Sequence, residues 1–347
     1  MYAGKDILIE SQTVQRRWPA NISEIDKSLF ICEQNLRLQE VPLLHYKDVR
    51  VNGSGIIFSG FKIEKDSLIW DFHASVYNTL YIGKEYLKKR LRILGKQKIG
   101  FVCFDYWSDG YFHWLCEALP RIIAIERHLN LANAVLLLPS KYANSFHKET
   151  LNVFPDIKID WISENEMVKC STLFVPARLA PSGSNNPEFM RLLQKKIFLH
   201  FGNEQSPFRN IYVSRKKAKR RMIQNEEEVI ILLTRYGFEI ICYEDFSFED
   251  QVKITQTAKN CVSIHGANLA NILFMNKDSN VLEFRMKDDA ANNYYYALAA
   301  ACNVNYYYQL CDFSMISTDG NNFNIVVDIT VLEKNIQMML QKIANRI

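Results

Sequence analysis

The sequence predicts an α/β protein, two doubly wound halves preceded by a β-rich N-terminal section, and three observations carry that reading. A length of 347 residues exceeds the size at which one hydrophobic core keeps growing, so two domains or two lobes are expected. A composition 48% hydrophobic and 23% charged is that of an ordinary folded chain. From residue 99 onward, short apolar runs alternate with stretches of helical spacing, the pattern of strand-helix units on a parallel sheet.

Residues 1–95 form the N-terminal section. Over 7–87 the chain runs in short apolar or alternating stretches (43–46, 55–58, 68–72) broken by Asn-Gly and Ser-Gly, which favours strands and turns. A basic connector, 88–98, leads into the first half, 96–205. There the spacing predicts strands over 99–104, 134–138 and 173–175, with helices over 111–129 and 141–153. A Ser/Gly/Asn-rich loop at 181–187, a helix over 188–201 and a linker at 202–210 close that half. The second half, 206–328, predicts strands at 211–213, 238–243, 261–264, 281–284 and 304–308, separated by helices at 226–236, 248–258, 269–274 and 294–302. Residues 329–347 hold a last amphipathic helix, over 330–343. The tyrosine triplets 294–296 and 306–308 suit core packing as well as sugar stacking.

A net charge of +4 is too small to make nucleic acid the leading partner. Eight scattered cysteines without a C-x-x-C pair read as reduced core thiols. Residues 1–10 lack an apolar signal region and no stretch approaches the roughly 18 apolar residues of a spanning helix. A cytoplasmic protein is expected, with peripheral attachment at the inner face of a membrane left open because it needs only a surface patch.

Three constellations carry chemistry. In Asp-Tyr-Trp-Ser-Asp109-Gly-Tyr-Phe-His113-Trp114-Leu-Cys-Glu117-Ala-Leu-Pro-Arg121, His113, Glu117 and Arg121 share a helix face, a stripe suited to proton transfer beside anion binding. Asp109 is a second candidate base. The plainer reading is a Glu117 and Arg121 ion pair with a core histidine, and Pro120 is expected to kink or shorten the helix.

The second constellation follows a strand: Ser214 and Arg215, then Arg220 and Arg221, with six cations in the seven residues from Arg215. Guanidinium groups there can grip a diphosphate, or the loop is simply solvated. Asn225 and Glu228 have the spacing of a capping box. In the third, a strand gives out at His265-Gly266-Ala267-Asn268, continuing to Asn271, where a glycine turn and a helix start suit a phosphate. Glu244 and Glu283, placed at neighbouring strand ends, can accept ribose or sugar hydroxyls. The chain has no G-x-G-x-x-G, Walker loop, H-E-x-x-H or D-x-D. No metal or cofactor is therefore expected.

In this order the three constellations resemble glycosyltransferase family 61, which includes bacterial capsule and lipopolysaccharide enzymes, plant xylan-modifying transferases and O-linked N-acetylglucosamine transferases. The likeness rests on Tyr-Phe-His-Trp-Leu with Glu117 and Leu-Pro-Arg, Tyr-Val-Ser-Arg with Arg-Arg and Asn-Glu, Phe-Glu-Asp-Gln-Val, and His-Gly-Ala with Asn271. The family commonly has Gly and Thr where this chain has Asn268 and Ala270; Asn268 can adopt the turn or cap the helix.

The resemblance implies a GT-B architecture: two Rossmann-like lobes facing a cleft, with the C-terminal helix crossing back onto the N-terminal lobe. It also implies an inverting transferase that takes a nucleotide-sugar donor, UDP-linked by analogy, and a glycan or lipid-linked glycan acceptor in surface polysaccharide synthesis. His113 would act as base, or else Asp109 or Glu117; Trp114 and Arg121 would meet the acceptor. Ser214, Arg215, Arg220, Arg221, Glu244, His265, Gly266, Ala267, Asn268, Asn271 and Glu283 would hold the donor. A nucleotide-sugar epimerase and a non-catalytic glycan-binding protein stand as alternatives, and the oligomeric state is left open.

Overall fold

Several strands are buried on both faces, as parallel α/β sheets require. Ala134–Pro139 is buried at every position, and Asn280–Met286 at all but its last. The computed structural model describes residues 1–68, 76–128, 133–202, 205–218, 220–287, 292–316 and 323–341. The chain is a mixed α/β protein that divides into two compact units: Met1–Gln12 with Leu38–Ser182, and Thr13–Arg37 with Gly183–Ile347.

The first unit carries a nine-stranded sheet. Its path runs Lys158–Ile162, Ala134–Pro139, Ile99–Phe101, Glu166–Pro176, Val41–Asn52, Ile57–Ser59, Lys62–Ile63. The first four strands are mutually parallel. Counted along the chain they stand in the order 3-2-1-4, so the direction of winding reverses between Ile99–Phe101 and Glu166–Pro176. The remaining pairings on the path are antiparallel. Tyr2–Ile9 also pairs with Val41–Asn52, and Arg90–Ile93 with Glu166–Pro176.

The N-terminal section is thus β-rich as expected, but it is not set apart. Most of its strands extend the sheet of the first α/β half through the long Val41–Asn52 and Glu166–Pro176 ladder, while Gln12–Gln15 and Asn35–Leu38 pair in a two-stranded sheet of their own. Two helices inside it were not expected. Thr79–Lys88 starts at Asn78, whose side chain accepts from the Leu80 and Tyr81 N–H groups, and Lys27–Gln34 lies in the segment counted with the second unit. The run 68–72 falls almost wholly outside the described residues. The helix expected over 141–153 is a 3-10 turn, Ser140–Asn144, followed by Phe146–Leu151.

The second unit's sheet runs Glu239–Ile241, Arg209–Val213, Ala258–Ile264, Asn280–Met286, Asn305–Ile316, Phe323–Val326. Five strands are parallel, in the order 2-1-3-4-5, and the last is antiparallel. Winding reverses between Arg209–Val213 and Ala258–Ile264. The helix Ile329–Gln341 buries Leu332, Ile336 and Met339 with Val229, Leu232 and Leu233 in this unit's core. Tyr295, Tyr296, Tyr306, Tyr307 and Tyr308 are buried, which decides for packing over sugar stacking. All eight cysteines are free, and among the described residues no helix is long and apolar enough to cross a membrane.

Candidate active site

The chain leaves the strand Ile99–Phe101 through an Asp-x-x-Ser pattern that caps a turn. Asp105 accepts from the Trp107 N–H at 3.0 Å, and Ser108 Oγ accepts from the Asp105 N–H at 3.0 Å. The resulting 3-10 turn, Tyr106–Asp109, feeds a helix that begins at Tyr111–His113. Pro120 does not end that helix. The turn before it widens into a π-helical stretch, Trp114–Ala118, which makes room for the ring, and the helix resumes as Leu119–His128.

Across this turn His113 Nδ1 lies 3.0 Å from Glu117 Oε2. Glu117 is gripped from two further directions: Ser182 Oγ donates to Oε1 at 2.6 Å, and Arg178 Nη1 lies 3.3 Å from Oε2. Arg178 is held by Asp105, Nη2 to Oδ2 2.8 Å, and its guanidinium stacks 4.8 Å from the Trp107 ring centre. Burial alone would raise the Glu117 pKa, but the His113 hydrogen bond and the Arg178 charge outweigh it and hold the carboxyl below its ordinary range. An ionised Glu117 draws the imidazole proton to Nδ1 and leaves the basic lone pair on Nε2.

A pocket of about 410 Å³ opens beside this cluster, lined by Phe104, Asp105, Trp107, Arg178 and Ser182 against Pro42, Leu44 and Ile57. Asp105 and Arg178 follow the two strands between which winding reverses, the place where open α/β sheets put ligands.

The other expected residues of this helix are engaged elsewhere. Asp109 bonds Lys141 at 2.5 Å and the Tyr142 hydroxyl at 2.8 Å. Trp114 is fully buried with its indole N–H donated to Thr150 at 2.7 Å, so it cannot meet an acceptor. Arg121 is buried too. Its Nε and Nη2 donate to the Pro176 carbonyl at 2.9 and 2.5 Å, and Nη1 lies 3.9 Å from Asp105. It braces the segment that carries Arg178 rather than an acceptor, and the plainer ion pair with Glu117 is replaced by the His113, Ser182 and Arg178 set.

In the second unit Arg215 and Gly266 come together at the other reversal of winding. A Cβ on Gly266 would stand 1.8 Å from Arg215 Nη1, so only glycine lets the guanidinium lie against this turn. Arg215 Nε is buried without a hydrogen-bond partner among the described residues, and so is Asn268 Nδ2 in the same turn. Burial, then the like charge of Arg221, lowers the Arg215 pKa; Tyr295 and Glu244 oppose that. Arg221 itself sits at φ 60°, a left-handed backbone that non-glycine residues rarely hold. Ala267 and Arg220 are exposed, and Glu244 is exposed on a 3-10 turn, Tyr243–Asp245. Buried unpaired donors and crowded cations are what an anion would satisfy.

Four expected donor residues turn out to hold the turn rather than a ligand. Ser214 is buried, donates to Glu226 at 2.7 Å and accepts from the Lys216 N–H at 3.2 Å. His265 is buried between Glu283, bonded at Nδ1, and Asn292, whose Nδ2 lies 3.0 Å from Nε2. Glu283 is not a strand end, since its strand continues to Met286; its carboxylate also accepts from the Tyr306 hydroxyl. Asn271 is buried and donates to Gln251 at 3.1 Å. Asn268 lies inside the 3-10 helix Ala267–Phe274 and does not cap it, and Asn225 bonds the backbone of Val327 instead of forming a capping box.

Sequence reasoning missed Arg178, Ser182 and the roles of Asp105 and Trp107. The available signal was positional: Arg178 comes two residues after a strand that borders the reversal of winding.

A family model described as glycosyltransferase 61 matches residues 111–282, a segment that holds His113, Glu117, Arg178, Arg215 and Gly266. Among curated proteins the chain is similar to protein O-linked-mannose beta-1,4-N-acetylglucosaminyltransferase 2 of Canis lupus familiaris, 29% identical over 112 residues, 31% of this chain and 19% of the relative. The Homo sapiens protein of that name gives the same identity, 29%, over the same shares, 31% and 19%. The chain is also similar to the EGF domain-specific O-linked N-acetylglucosamine transferase of Drosophila melanogaster, 27% identical over 121 residues, 34% of this chain and 23% of the relative. The chain therefore spans about a fifth of the length of the curated relatives it matches.

Proposed function

As the chain belongs to glycosyltransferase family 61, we propose that it moves a sugar from a nucleotide-linked donor, UDP-linked by analogy, to a glycan or lipid-linked glycan acceptor, with inversion and without a metal. The two units serve as the lobes of a GT-B enzyme, a reading supported by the parallel α/β sheet in each. The second unit holds the donor and the first supplies the base. Free cysteines throughout favour a reducing, cytoplasmic setting, and surface polysaccharide synthesis fits a glycan acceptor.

The reaction is one displacement. The acceptor oxygen forms a bond to the anomeric carbon while the bond from that carbon to the diphosphate oxygen breaks, and the nucleoside diphosphate leaves with the electron pair. The hydroxyl proton passes to His113 Nε2, and Glu117 stabilises the imidazolium through Nδ1. Arg215, with Arg221 beside it, stabilises the leaving diphosphate in the role a divalent cation plays in other transferases.

The observation that carries the reading is Arg215 lying against Gly266 with Nε unpartnered at the sheet's reversal of winding. A thermal-shift panel of UDP, GDP, CMP and ADP, each with and without EDTA, tests it. One nucleotide diphosphate should stabilise the protein regardless of EDTA. Stabilisation by none of them, or only with added divalent cation, would remove the donor site or the metal-free mechanism respectively.

A further inference from the structure

The basic connector plays no part in the chemistry above, and the elements around it are turned the wrong way for a solvated surface. On the helix Thr79–Lys88, Ile82 and Glu85 face inward, while Leu80 and Leu87 are 76% and 88% exposed. Leu80, Lys84, Leu87 and Lys88 fall at i, i+4, i+7 and i+8, one outward face of alternating apolar and cationic side chains. The strand Arg90–Ile93 also carries exposed apolar side chains, next to arginines that are paired. Arg90 pairs with Glu166, and Arg92 pairs with Asp160 at 2.7 Å, whereas Leu91 and Ile93 are 42% and 65% exposed.

Charge complementarity says what covers this face. Lys84, Lys88, Lys96 and Lys98 have no ion-pair partner among the described residues, so the cations that interleave with the exposed apolar groups are uncompensated. Beside them a pocket of about 390 Å³ is lined by Lys96, Gln97, Lys98 and Lys158, a cradle for a phosphate-bearing headgroup. A second copy of the chain would set lysine against lysine across a two-fold axis, and a nucleic acid would leave the leucines without a partner. A bilayer with anionic lipids satisfies both kinds of group. The leucines and isoleucine enter the headgroup region, and the lysine stems lie along it with their ammonium groups at the phosphates.

We propose that the face formed by the helix Thr79–Lys88, the strand Arg90–Ile93 and the lysines through Lys98 docks the protein on an anionic membrane surface. This goes beyond the reading of the transferase site and does not depend on it.

Sedimentation of the full chain with phosphatidylcholine vesicles, with and without phosphatidylglycerol, tests it. The protein should pellet with the anionic vesicles, weakly with the neutral ones, and less at high salt. Reversing all four lysines to Glu, or combining Leu87→Glu with Ile93→Glu, should each weaken vesicle binding at least about tenfold while the melting curve and nucleotide stabilisation stay as in the parent. Free inorganic phosphate should not compete at matched ionic strength. Equal partitioning to both vesicle types, or undiminished binding by the four-lysine variant, would overturn the proposal. So would a concentration-dependent dimer, seen by analytical ultracentrifugation and abolished by Leu87→Glu, in a protein that ignores vesicles.

Discussion

Gly266→Ala adds one methyl group at the point where the structure has the least room for it. The new Cβ would lie 1.8 Å from Arg215 Nη1 and 3.0 Å from its Cζ. Non-bonded carbon and nitrogen need about 3.5 Å, so the guanidinium must retreat by at least about 1.5 Å. That is further than a hydrogen bond to a phosphate oxygen tolerates. The atom that moves is the far end of a long side chain, so folding should lose little, whereas donor binding should lose one charge-assisted contact, about 2 kcal/mol or roughly thirtyfold in Kd. Arg215→Ala removes the same contact directly and empties the space the methyl needs. The double variant should therefore bind no worse than Arg215→Ala alone, a strong departure from additivity. Isothermal titration of the preferred nucleoside diphosphate into wild type, both single variants and the double variant reads the cycle. Wild-type affinity in Gly266→Ala, or two penalties that simply add, would refute the idea that this glycine exists to admit Arg215.

Other outcomes follow from the same geometry. His113→Ala should lower kcat by about 10²- to 10⁴-fold and Glu117→Gln by a smaller factor, with nucleotide affinity unchanged in titrations of both; full turnover in His113→Ala would move the base elsewhere. Arg178→Gln removes a positive charge 3.3 Å from Glu117, so kcat should fall at least about tenfold with nucleotide affinity unchanged, and Arg178→Lys should recover much of it; an unchanged kcat in a folded variant would leave Arg178 with packing alone. Burial lowers His147 to about 4 from 6.5. A lowered folded-state value means the unfolded chain binds the proton more readily, so stability is full above about pH 6.5 and falls toward pH 4. Urea midpoints should show about 2 kcal/mol lost between pH 7 and pH 5, and His147→Gln should flatten that slope. Trp114→Phe should lower the melting temperature through the lost Thr150 bond and leave the acceptor KM unchanged, whereas a raised KM would return this residue to the acceptor site.

The second half was legible because its strands are near-continuous apolar runs separated by helical spacing, and both signals survive burial. Less of the first half could be read. Its sheet mixes parallel and antiparallel neighbours, and the ladder of Val41–Asn52 with Glu166–Pro176 joins segments more than a hundred residues apart, which no local pattern announces. Thr79–Lys88 was hidden because its outward face is leucine as well as lysine, which blurs the polar side of a helical period. At the sites, residue type was easier to read than orientation. His113, Glu117, Arg215 and Gly266 were visible as chemistry at element ends, but whether His265, Glu283 and Asn271 pointed at a ligand or into the protein depended on partners at distant positions. Glu283 looked close to a strand end only because the expected strand stopped at Phe284, whereas it continues through Arg285 to Met286.

The two arginines that border the reversals of winding explain why the units suit different tasks. Arg178 is compensated: Asp105 and Glu117 both lie on it, and Trp107 covers its face. A cluster balanced in this way has little attraction left for an anion, but it fixes Glu117 as a carboxylate and hence fixes which nitrogen of His113 is basic. Arg215 is the reverse case. Its largest electrostatic neighbour is another cation, Arg221, and its Nε has no acceptor among the described residues. Holding it there costs desolvation and repulsion that Tyr295 and Glu244 offset only in part, and a diphosphate would supply both the missing charge and the missing acceptors. Under the proposed function the same topological position would handle a proton in one unit and a phosphate in the other, with the carboxylates around the arginine deciding which.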